Sequence, residues 1–242
     1  DLVIVNTRLY IHSLYGVKNK KKNKFKCITI EHGTAHLTVN NKTWDSIGRV
    51  FEHLFTFFIK KNCKEFYGVS EACCEWSAHF GIKSKGVLYN SIDIEEINQL
   101  MQTTKKNYRD KYKITQDDII VTFTGRLVKE KGILNLIEAI NGINNENVYL
   151  MIAGDGPLFE KVKLLTSDKI VLLGKIDFEQ IIALLKETDI FCLPSESEGL
   201  STSVLEAVAT KCFVITTSHG GSKELVAGDK YGIIMDGNSV EE

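Results

Sequence analysis

Short runs of apolar residues recur along the whole chain, and segments with helical spacing of apolar residues separate them. Most runs lack the polar–apolar alternation of a strand with one wet face. They therefore predict strands covered on both faces, as in parallel sheets. Strands that alternate with helices in this way predict a doubly wound α/β fold. The predicted strands are Leu2–Asn6, Cys27–Ile30, Phe66–Val69, Val87–Tyr89, Ile119–Phe123, Tyr149–Ala153, Ile170–Leu173, Ile190–Leu193, Phe213–Thr216 and Gly232–Met235.

The charge of the chain changes sign along its length. Residues 1–92 contain 14 Lys/Arg and 7 Asp/Glu, whereas the residues from 93 onwards contain 16 and 24. Such asymmetry indicates two domains. Turn-forming residues follow a predicted strand at 90–93, so we expect a first domain at 1–92 and a second at 93–242. The net charge of −1 gives no reason to expect a nucleic-acid partner.

The six cysteines have neither C-x-x-C pairs nor the His/Cys spacing of a zinc site. We therefore predict free thiols in a reducing, cytoplasmic setting and no metal site. The composition, 43% hydrophobic and 25% charged, is that of a soluble globular chain and excludes wholesale disorder or coiled coil. No apolar run reaches the roughly 18–20 residues that cross a bilayer.

Two basic segments in the first domain each have two interpretations. The apolar stretch Leu54–Ile59 belongs to a predicted helix, Asp45–Lys61, and three lysines follow it. The favoured interpretation is a helix packed in a domain core, and the alternative is a basic amphipathic helix on a membrane surface. A second segment is a run of lysines that could bind anionic lipid head groups or a phosphorylated acceptor. The favoured interpretation of this run is a solvated loop before a strand. That run consists of Lys18, Lys20, Lys21, Lys22, Lys24 and Lys26.

A turn bounded by glycines, 125–132, follows the strand Ile119–Phe123 and opens a helix. In open α/β sheets, ligands bind at the carboxyl ends of the strands. Arg126 and Lys131 place two cations there, and Gly125 lets the backbone turn. Two cations suit a diphosphate, whose charge grows as it leaves. The alternative is a pair of surface cations beside a turn.

The segment from Glu198 to Glu206 is the most informative. Ser201 and Thr202 lie at the start of a predicted helix, where free N–H groups and the helix dipole bind phosphate. Glu206 lies one turn further, where a carboxylate can hold vicinal sugar hydroxyls. His32 follows the strand Cys27–Ile30 and can face a bound sugar, although a structural role is favoured when that residue is taken alone.

Four segments in a fixed order make the chain resemble a known enzyme family. They are G-R-x-x-x-x-K-G at 125–132, A-G-D-G-P-L at 153–158, E-G-L-S-T-S-V-L-E at 198–206 and G-G-S-K-E-L at 220–225. With these four segments in this order, the chain resembles the GT-B glycosyltransferases of the large retaining group called family 4. The resemblance implies two Rossmann-like domains facing across a cleft. It also implies transfer of a sugar from a nucleotide-diphosphate sugar to a hydroxyl acceptor with retention.

The resemblance also assigns residues to roles. Arg126 and Lys131 would stabilise the leaving diphosphate, while Glu198 and His32 would lie near the transferred sugar. In the donor site, Glu206 would hold the ribose, the amides of Ser201 and Thr202 the phosphate, and the backbone of Gly174 and Lys175 the base. The full set of expected donor-binding residues is Gly125, Asn90, Gly174, Lys175, Ser201, Thr202 and Glu206.

Further expectations concern completeness, cofactors and partners. Relatives begin with a strand and a glycine-rich loop and end with a helix that crosses back, so we expect the first domain to be incomplete at its N-terminus and the second at its C-terminus. The absence of a D-x-D pattern predicts independence of metals and cofactors. The acceptor would be a sugar or a lipid-linked compound in bacterial envelope assembly. The alternatives are a nucleotide-sugar-binding fragment without activity, or a GT-B epimerase or phosphorylase.

Overall fold

The computed structural model of the protein describes residues 1–23, 25–38 and 41–241, with the backbone alone for residues 19–23. The chain divides into two compact units. The first unit comprises Asp1–Asn90 and Ser197–Leu200, and the second comprises Ser91–Glu196 and Ser201–Glu242. Each unit has a parallel sheet with helices, which confirms the predicted α/β fold class.

The first unit has a three-stranded parallel sheet in the order β1-β2-β3. Its elements are β1 (Leu2–Asn6), α1 (Ile11–Asn23), β2 (Lys26–Glu31), α2 (Lys42–Asn62), β3 (Glu65–Gly68) and α3 (Glu71–His79). The predicted strand Val87–Tyr89 is wrong. That segment pairs with the sheet at one position only, through a parallel bridge between Gly68 and Val87. The side chains of Leu88 and Tyr89 are exposed, so the segment lacks the two covered faces of the other strands.

Helix α1 corrects the interpretation of the lysine-rich run as a loop, because the backbone is helical throughout Ile11–Asn23. Its buried side consists of few residues, chiefly Ser13 and Val17, so the sequence lacks a broad apolar stripe. The side chains of Lys20, Lys21 and Lys22 and all of Lys24 lie outside the described residues, and the predicted anion contact of this run stays a prediction.

Helix α2 starts where the Asn41 side chain accepts hydrogen bonds from the backbone N–H groups of Thr43 and Trp44. Its buried residues are Glu52, Thr56 and Ile59, whereas most of its large apolar side chains are exposed. Helix α2 thus packs on the core of the first unit through Ile59, which belongs to the cluster of buried apolar residues there, whereas Leu54, Phe57 and Phe58 of the predicted apolar stretch are exposed. Among the residues that the structure describes, no helix has the length and apolarity needed to span a bilayer.

The second unit has a six-stranded parallel sheet in the order β6-β5-β4-β7-β8-β9. The nine remaining predicted strands of the two sheets agree with the structure to within one residue at each end. The elements of this unit are α4 (Ile94–Thr103), α5 (Tyr108–Tyr112), β4 (Ile119–Thr124), α6 (Ile133–Gly142), β5 (Val148–Ala153), α7 (Phe159–Lys163), β6 (Ile170–Gly174), α8 (Phe178–Lys186), β7 (Ile190–Leu193), α9 (Thr202–Ala209), β8 (Phe213–Thr217), α10 (Ser222–Leu225) and β9 (Gly232–Met235).

The sheet of the second unit is buried on both faces, and β5 shows this most directly. Leu150 and Ile152 belong to one apolar cluster, whereas Met151 and Ala153 belong to another. Because successive side chains of a strand point to opposite faces, the two clusters lie on the two sides of the sheet. This arrangement explains the uninterrupted apolar runs in the sequence.

All six cysteines are free, and only Cys74 is not fully buried. Burial raises the pKa of the Cys73 and Cys212 thiols to about 11 and that of Cys192 to about 12. At neutral pH these thiols are protonated and packed in apolar surroundings, as expected of structural cysteines.

Gly132 provides a test of the packing between β4 and β7. Its φ of +70° is left-handed, and a Cβ at this position would overlap the carbonyl oxygen of Pro194. We expect Gly132→Ala to lower the free energy of unfolding by about 1–3 kcal/mol or more, through strain and overlap. Urea unfolding of the two proteins measures the difference.

The matched control is Gly142→Ala, at the end of α6, where an added Cβ would meet nothing within 4 Å. This control should be neutral or stabilising by up to about 1 kcal/mol, because alanine loses less entropy than glycine on folding. Equal unfolding midpoints for Gly132→Ala and the parent would show that the left-handed turn is not required.

Candidate donor site and first-unit loop

A cavity of about 380 Å³ opens in the second unit where β4, β5 and β6 end. In this parallel sheet, β5 and β6 lie on one side of β4, and β7, β8 and β9 lie on the other, so successive strands are added in opposite directions from this point. Open α/β sheets bind ligands in the crevice at such a switch point. The lining residues follow three strands and begin one helix. They are Thr124, Gly125, Arg126, Ala153, Gly154, Asp155, Lys175, Ile176, Ile181, Thr202, Ser203 and Glu206.

The backbone at the strand ends is closely packed. The N–H of Gly125 donates to the Ala153 carbonyl at 3.0 Å, and the N–H of Gly154 donates to the Gly174 carbonyl at 2.8 Å. A Cβ on Gly154 would overlap the Gly125 carbonyl oxygen, so only glycine permits this approach. The result is a cavity wall made of main chain, which a ligand can approach closely.

The charged side chains on the cavity wall are two cations, Arg126 and Lys175, and two carboxylates, Asp155 and Glu206. Arg126 and Lys175 both line it and are otherwise exposed. The one lining carboxylate at the strand ends, Asp155, already accepts a hydrogen bond from the N–H of Gly156 at 2.7 Å. The wall thus offers two cationic groups to an anionic ligand.

Helix α9 contributes hydroxyl groups and a carboxylate to the same cavity. Ser201 caps α9 by accepting a hydrogen bond from the Val204 N–H at 3.4 Å, and Thr202 follows it on the cavity wall. One turn further, the half-buried Glu206 also lines the cavity, and burial raises the pKa of its carboxyl. Within the described parts of the chain, that carboxylate has neither a hydrogen bond nor an ion pair. A ligand with hydroxyl donors would satisfy it.

Thr124 is a lining residue that the sequence interpretation missed. It ends β4 and is 3% exposed, and its hydroxyl has no hydrogen-bond partner among residues 1–23, 25–38 and 41–241. A buried hydroxyl without a protein partner beside a cavity is available for a hydrogen bond to a ligand. Its position directly after the predicted strand Ile119–Phe123 was the only signal for it in the sequence.

The first unit brings together the other predicted residues through the segment Ser197–Leu200. Three side chains donate to three successive carbonyl groups of this segment. Thr34 donates to Glu198 at 2.6 Å, Ser70 to Gly199 at 3.0 Å and Asn90 to Leu200 at 2.9 Å. Thr34 and Ser70 were not predicted as site residues, because their role depends on a segment more than a hundred positions away.

Gly199 packs directly against His32. A Cβ on Gly199 would overlap the His32 carbonyl oxygen, so the residue must be glycine for the segment to dock. His32, Asn90 and Glu198 therefore lie around one short segment, with Glu198 buried and the imidazole of His32 exposed. The His32 ring is 3.2 Å from the Asn6 side-chain oxygen, measured from Nε2.

A buried ion pair supports the turn at His32. Glu31 accepts hydrogen bonds from the N–H groups of His32 and Gly33, at 3.2 and 3.3 Å, and forms an ion pair with Arg8. The Arg8 guanidinium lies 3.7 Å from the centre of the Phe80 ring. The Arg8–Glu31 pair has no local sequence signal, since the two residues are 23 positions apart.

Lys131 is not among the residues that line the cavity. It ends a short 3₁₀ turn, Lys129–Lys131, and the Glu130 carbonyl of this turn accepts hydrogen bonds from Ser195 and Glu196 at 3.0 and 2.7 Å. The backbone carrying Lys131 is thus fixed. The described residues contain no group of three or more His, Cys, Asp or Glu side chains placed to hold a metal ion.

Comparison with known proteins identifies the family. The sequence profile of the family described as "Glycosyl transferases group 1" matches residues 104–242. The chain belongs to this family. The cavity described above lies entirely within the matched segment, and the first-unit residues His32 and Asn90 lie before it.

Individual members of the family match at low identity. An uncharacterized glycosyltransferase of Methanocaldococcus jannaschii is 28% identical over 255 residues, which cover 100% of this chain and 64% of that protein. An N-acetylgalactosamine-N,N'-diacetylbacillosaminyl-diphospho-undecaprenol 4-alpha-N-acetylgalactosaminyltransferase of Campylobacter jejuni is 31% identical over 156 residues, 62% of this chain and 40% of that protein. The chain therefore spans less than two thirds of these relatives.

The fold is also that of a solved structure. The crystal structure of Anabaena HepE in complex with UDP matches with a TM-score of 0.76 and 18% sequence identity, and the match covers 100% of this chain and 66% of that one. This match supports the GT-B architecture predicted for the chain.

Glu206 provides a test that needs no ligand. Because burial raises the pKa of its carboxyl, the ionised form is less favourable in the folded protein than in the unfolded chain at neutral pH. We expect Glu206→Gln to raise Tm at neutral pH. The difference from the parent should shrink as the pH falls through the raised pKa, since the parent carboxyl then becomes neutral too.

Thermal unfolding at neutral pH and at successively lower pH measures this effect. Glu138→Gln on α6 is the matched control, because Glu138 is exposed and should leave Tm unchanged at every pH. A Tm for Glu206→Gln below that of the parent at neutral pH would contradict the expectation.

Proposed function

We propose that the chain carries the donor site of a retaining glycosyltransferase of hexosyltransferase type. The enzyme moves a sugar from a nucleotide-diphosphate sugar to a hydroxyl acceptor. The observation that carries this proposal is that five of the expected residues line one cavity. They are Gly125, Arg126, Lys175, Thr202 and Glu206. The cavity combines cations for a diphosphate with a carboxylate for hydroxyl groups, and these are the two chemistries of a nucleotide-diphosphate sugar.

Each part of the donor has a proposed partner. The Glu206 carboxylate accepts hydrogen bonds from the ribose hydroxyls, which satisfies a group that has no partner in the described chain. The N–H groups of Ser201 and Thr202 at the start of α9 bind a phosphate. The backbone at Gly174 and Lys175 meets the base, and Gly125 lets the phosphates approach the main chain.

Catalysis rests on stabilisation of the leaving group and on positioning. Arg126 and Lys131 neutralise the charge that grows on the diphosphate as the bond to the sugar breaks. In the first unit, His32 and Glu198 act on the transferred sugar, and Asn90 contributes to donor binding by holding the segment that carries Glu198. The chain needs no pair of carboxylates of glycosidase type for this mechanism.

The acceptor is proposed to be a sugar or a lipid-linked compound in bacterial polysaccharide or glycolipid assembly. The name of the Campylobacter jejuni relative, which includes a diphospho-undecaprenol acceptor, supports this class. We propose a cytoplasmic protein with peripheral contact to the inner face of the membrane through the basic first half of the chain. Nucleic acid is not proposed as a partner.

Isothermal titration with UDP, GDP and ADP, and with their sugars, tests the donor site. We expect one nucleotide series to bind, and Arg126→Ala and Glu206→Ala each to weaken that binding about 10- to 100-fold, the effect of losing a hydrogen bond to a charged group. Arg49→Ala and Glu138→Ala are matched controls at exposed positions and should bind normally.

Absence of binding to every nucleotide would refute the donor site. A sugar-transfer assay then separates the proposed enzyme from its rivals. Binding without transfer would favour a nucleotide-sugar-binding protein without activity. Product formation without an acceptor would favour an epimerase, and dependence on free phosphate would favour a phosphorylase. The anomeric configuration of the product tests retention.

Independence of metals is tested with a chelator. We expect nucleotide binding and sugar transfer to be unchanged by EDTA, because Arg126 and Lys131 supply the charge that a divalent cation would otherwise provide. Loss of transfer that added Mg²⁺ or Mn²⁺ restores would refute this part of the proposal.

A further inference from the structure

Helix α2 carries a line of large apolar side chains that face solvent. Trp44, Ile47, Phe51, Leu54 and Phe58 follow one another at spacings of three and four residues, so they lie along one side of the helix. All five are between 41% and 64% exposed. Val50 and Phe57 adjoin this line and are 68% and 61% exposed. We call these seven residues the outer face of α2.

The outer face points away from the first unit. The buried residues of α2, Glu52, Thr56 and Ile59, lie on the side that packs on the unit. At about 3.6 residues per turn, the outer face is on roughly the opposite side of the helix. The helix thus buries Ile59 with two polar residues and leaves its aromatic residues Trp44, Phe51, Phe57 and Phe58 exposed. Contiguous apolar patches of this kind mark interaction surfaces in soluble proteins.

Lysines surround the carboxyl end of the same helix. A cavity of about 520 Å³ there is lined by Lys60, Lys64, Lys83 and Lys85, and none of its lining residues is acidic. Lys60 donates to the Phe80 carbonyl at 2.8 Å, which fixes one wall. The other three ammonium groups have no ion pair within the described chain. The site therefore offers several donors to phosphate groups.

The acidic residues of α2 do not offset these cations. Glu52 is buried, and its carboxylate accepts hydrogen bonds from His36 and from the Leu37 N–H. Asp45 accepts a hydrogen bond from Thr38 at 2.8 Å and lies off the outer face. The helix also carries Lys42, Arg49 and Lys61. Helix α2 thus combines its exposed apolar side chains with more basic than acidic residues.

We infer that α2 docks on a bilayer that contains anionic lipids. The helix lies in the plane of the interface, with the outer face at the acyl boundary, Trp44 at the level of the head groups and the lysine-lined cavity on the lipid phosphates. This inference deepens the proposed peripheral membrane contact. The inference rests on the proposed function, which gives a reason for the protein to bind a membrane. Its test requires neither a nucleotide nor sugar transfer.

Charge favours a lipid surface over a second copy of the chain. In a symmetric pair the outer faces would meet, and each copy would bring the same lysines and arginines to the contact. No carboxylate on the outer face is available to pair with them. Anionic head groups supply the missing negative charge, and the acyl region buries the apolar side chains.

Flotation of the chain with vesicles tests the inference. We expect binding to vesicles of phosphatidylcholine mixed with phosphatidylglycerol, weak binding to phosphatidylcholine alone, and loss of binding as salt is raised. Phe51→Ser with Leu54→Ser should abolish binding. Lys83→Glu with Lys85→Glu should weaken it roughly thirtyfold or more, about fivefold for each lysine removed. The fluorescence of Trp44 should shift to the blue on binding, and Trp44→Phe should remove that shift.

Matched controls lie on the second unit. Leu164→Ser changes an apolar residue that is 86% exposed, and Lys105→Glu with Lys106→Glu makes the same change of charge at exposed positions. Both should bind vesicles like the parent. All the substituted side chains are exposed, and circular dichroism checks that the variants fold.

Three results would overturn the inference. They are no binding to anionic vesicles, binding that the α2 variants leave unchanged, and self-association of the parent that Phe51→Ser with Leu54→Ser abolishes. The last result would assign the outer face to a second copy. Nucleotide titration of the same variants should match the parent, so a failed membrane test is distinguishable from a failed donor site.

Discussion

The parallel pairing of β4 with β5 on one side and β7 on the other is the constraint on which the candidate donor site depends. Because every strand of the six-stranded sheet runs in one direction, the loops after β4, β5 and β6 all emerge at one edge. The reversal of strand order beside β4 leaves a crevice there, since consecutive connections diverge at this point. Arg126, Lys175 and Glu206 lie together for this reason, although they are far apart in the chain.

Close backbone packing gives this edge its chemistry. The turns after β4 and β5 approach so closely that Gly154 has no room for a side chain, and the wall of the cavity is main chain with a few charged groups around it. In the first unit, the same principle operates at Gly199, which packs on the His32 carbonyl while Thr34, Ser70 and Asn90 hold the carbonyl groups beside it. Both arrangements satisfy buried polar backbone groups and leave functional side chains in a fixed place.

The two faces of α2 show where prediction from the sequence fails. Its spacing of apolar residues correctly predicts a helix, but the same pattern suits either a buried or an exposed apolar face. The structure decides between them. Glu52 is buried, with His36 and Arg8 beside its carboxylate, and Phe51 and Leu54 are exposed on the other side of the helix. The failed strand Val87–Tyr89 is similar. The sequence has an apolar run there, but the segment pairs with the sheet at one position only, and its Leu88 and Tyr89 side chains are exposed.

The amino-acid sequence by itself determined the α/β class, nearly all the strands and the positions of the charged residues near the strand ends, because these depend on local periodicity and on glycine-containing turns. The tertiary structure alone decided which of those residues meet. It placed Glu206 beside Arg126 in one cavity, placed Lys131 off its wall, and grouped Glu198 with His32 and Asn90 in the first unit. The physical reason is that such contacts join residues tens to more than a hundred positions apart, and strand order and buried hydrogen bonds create them without leaving a local pattern.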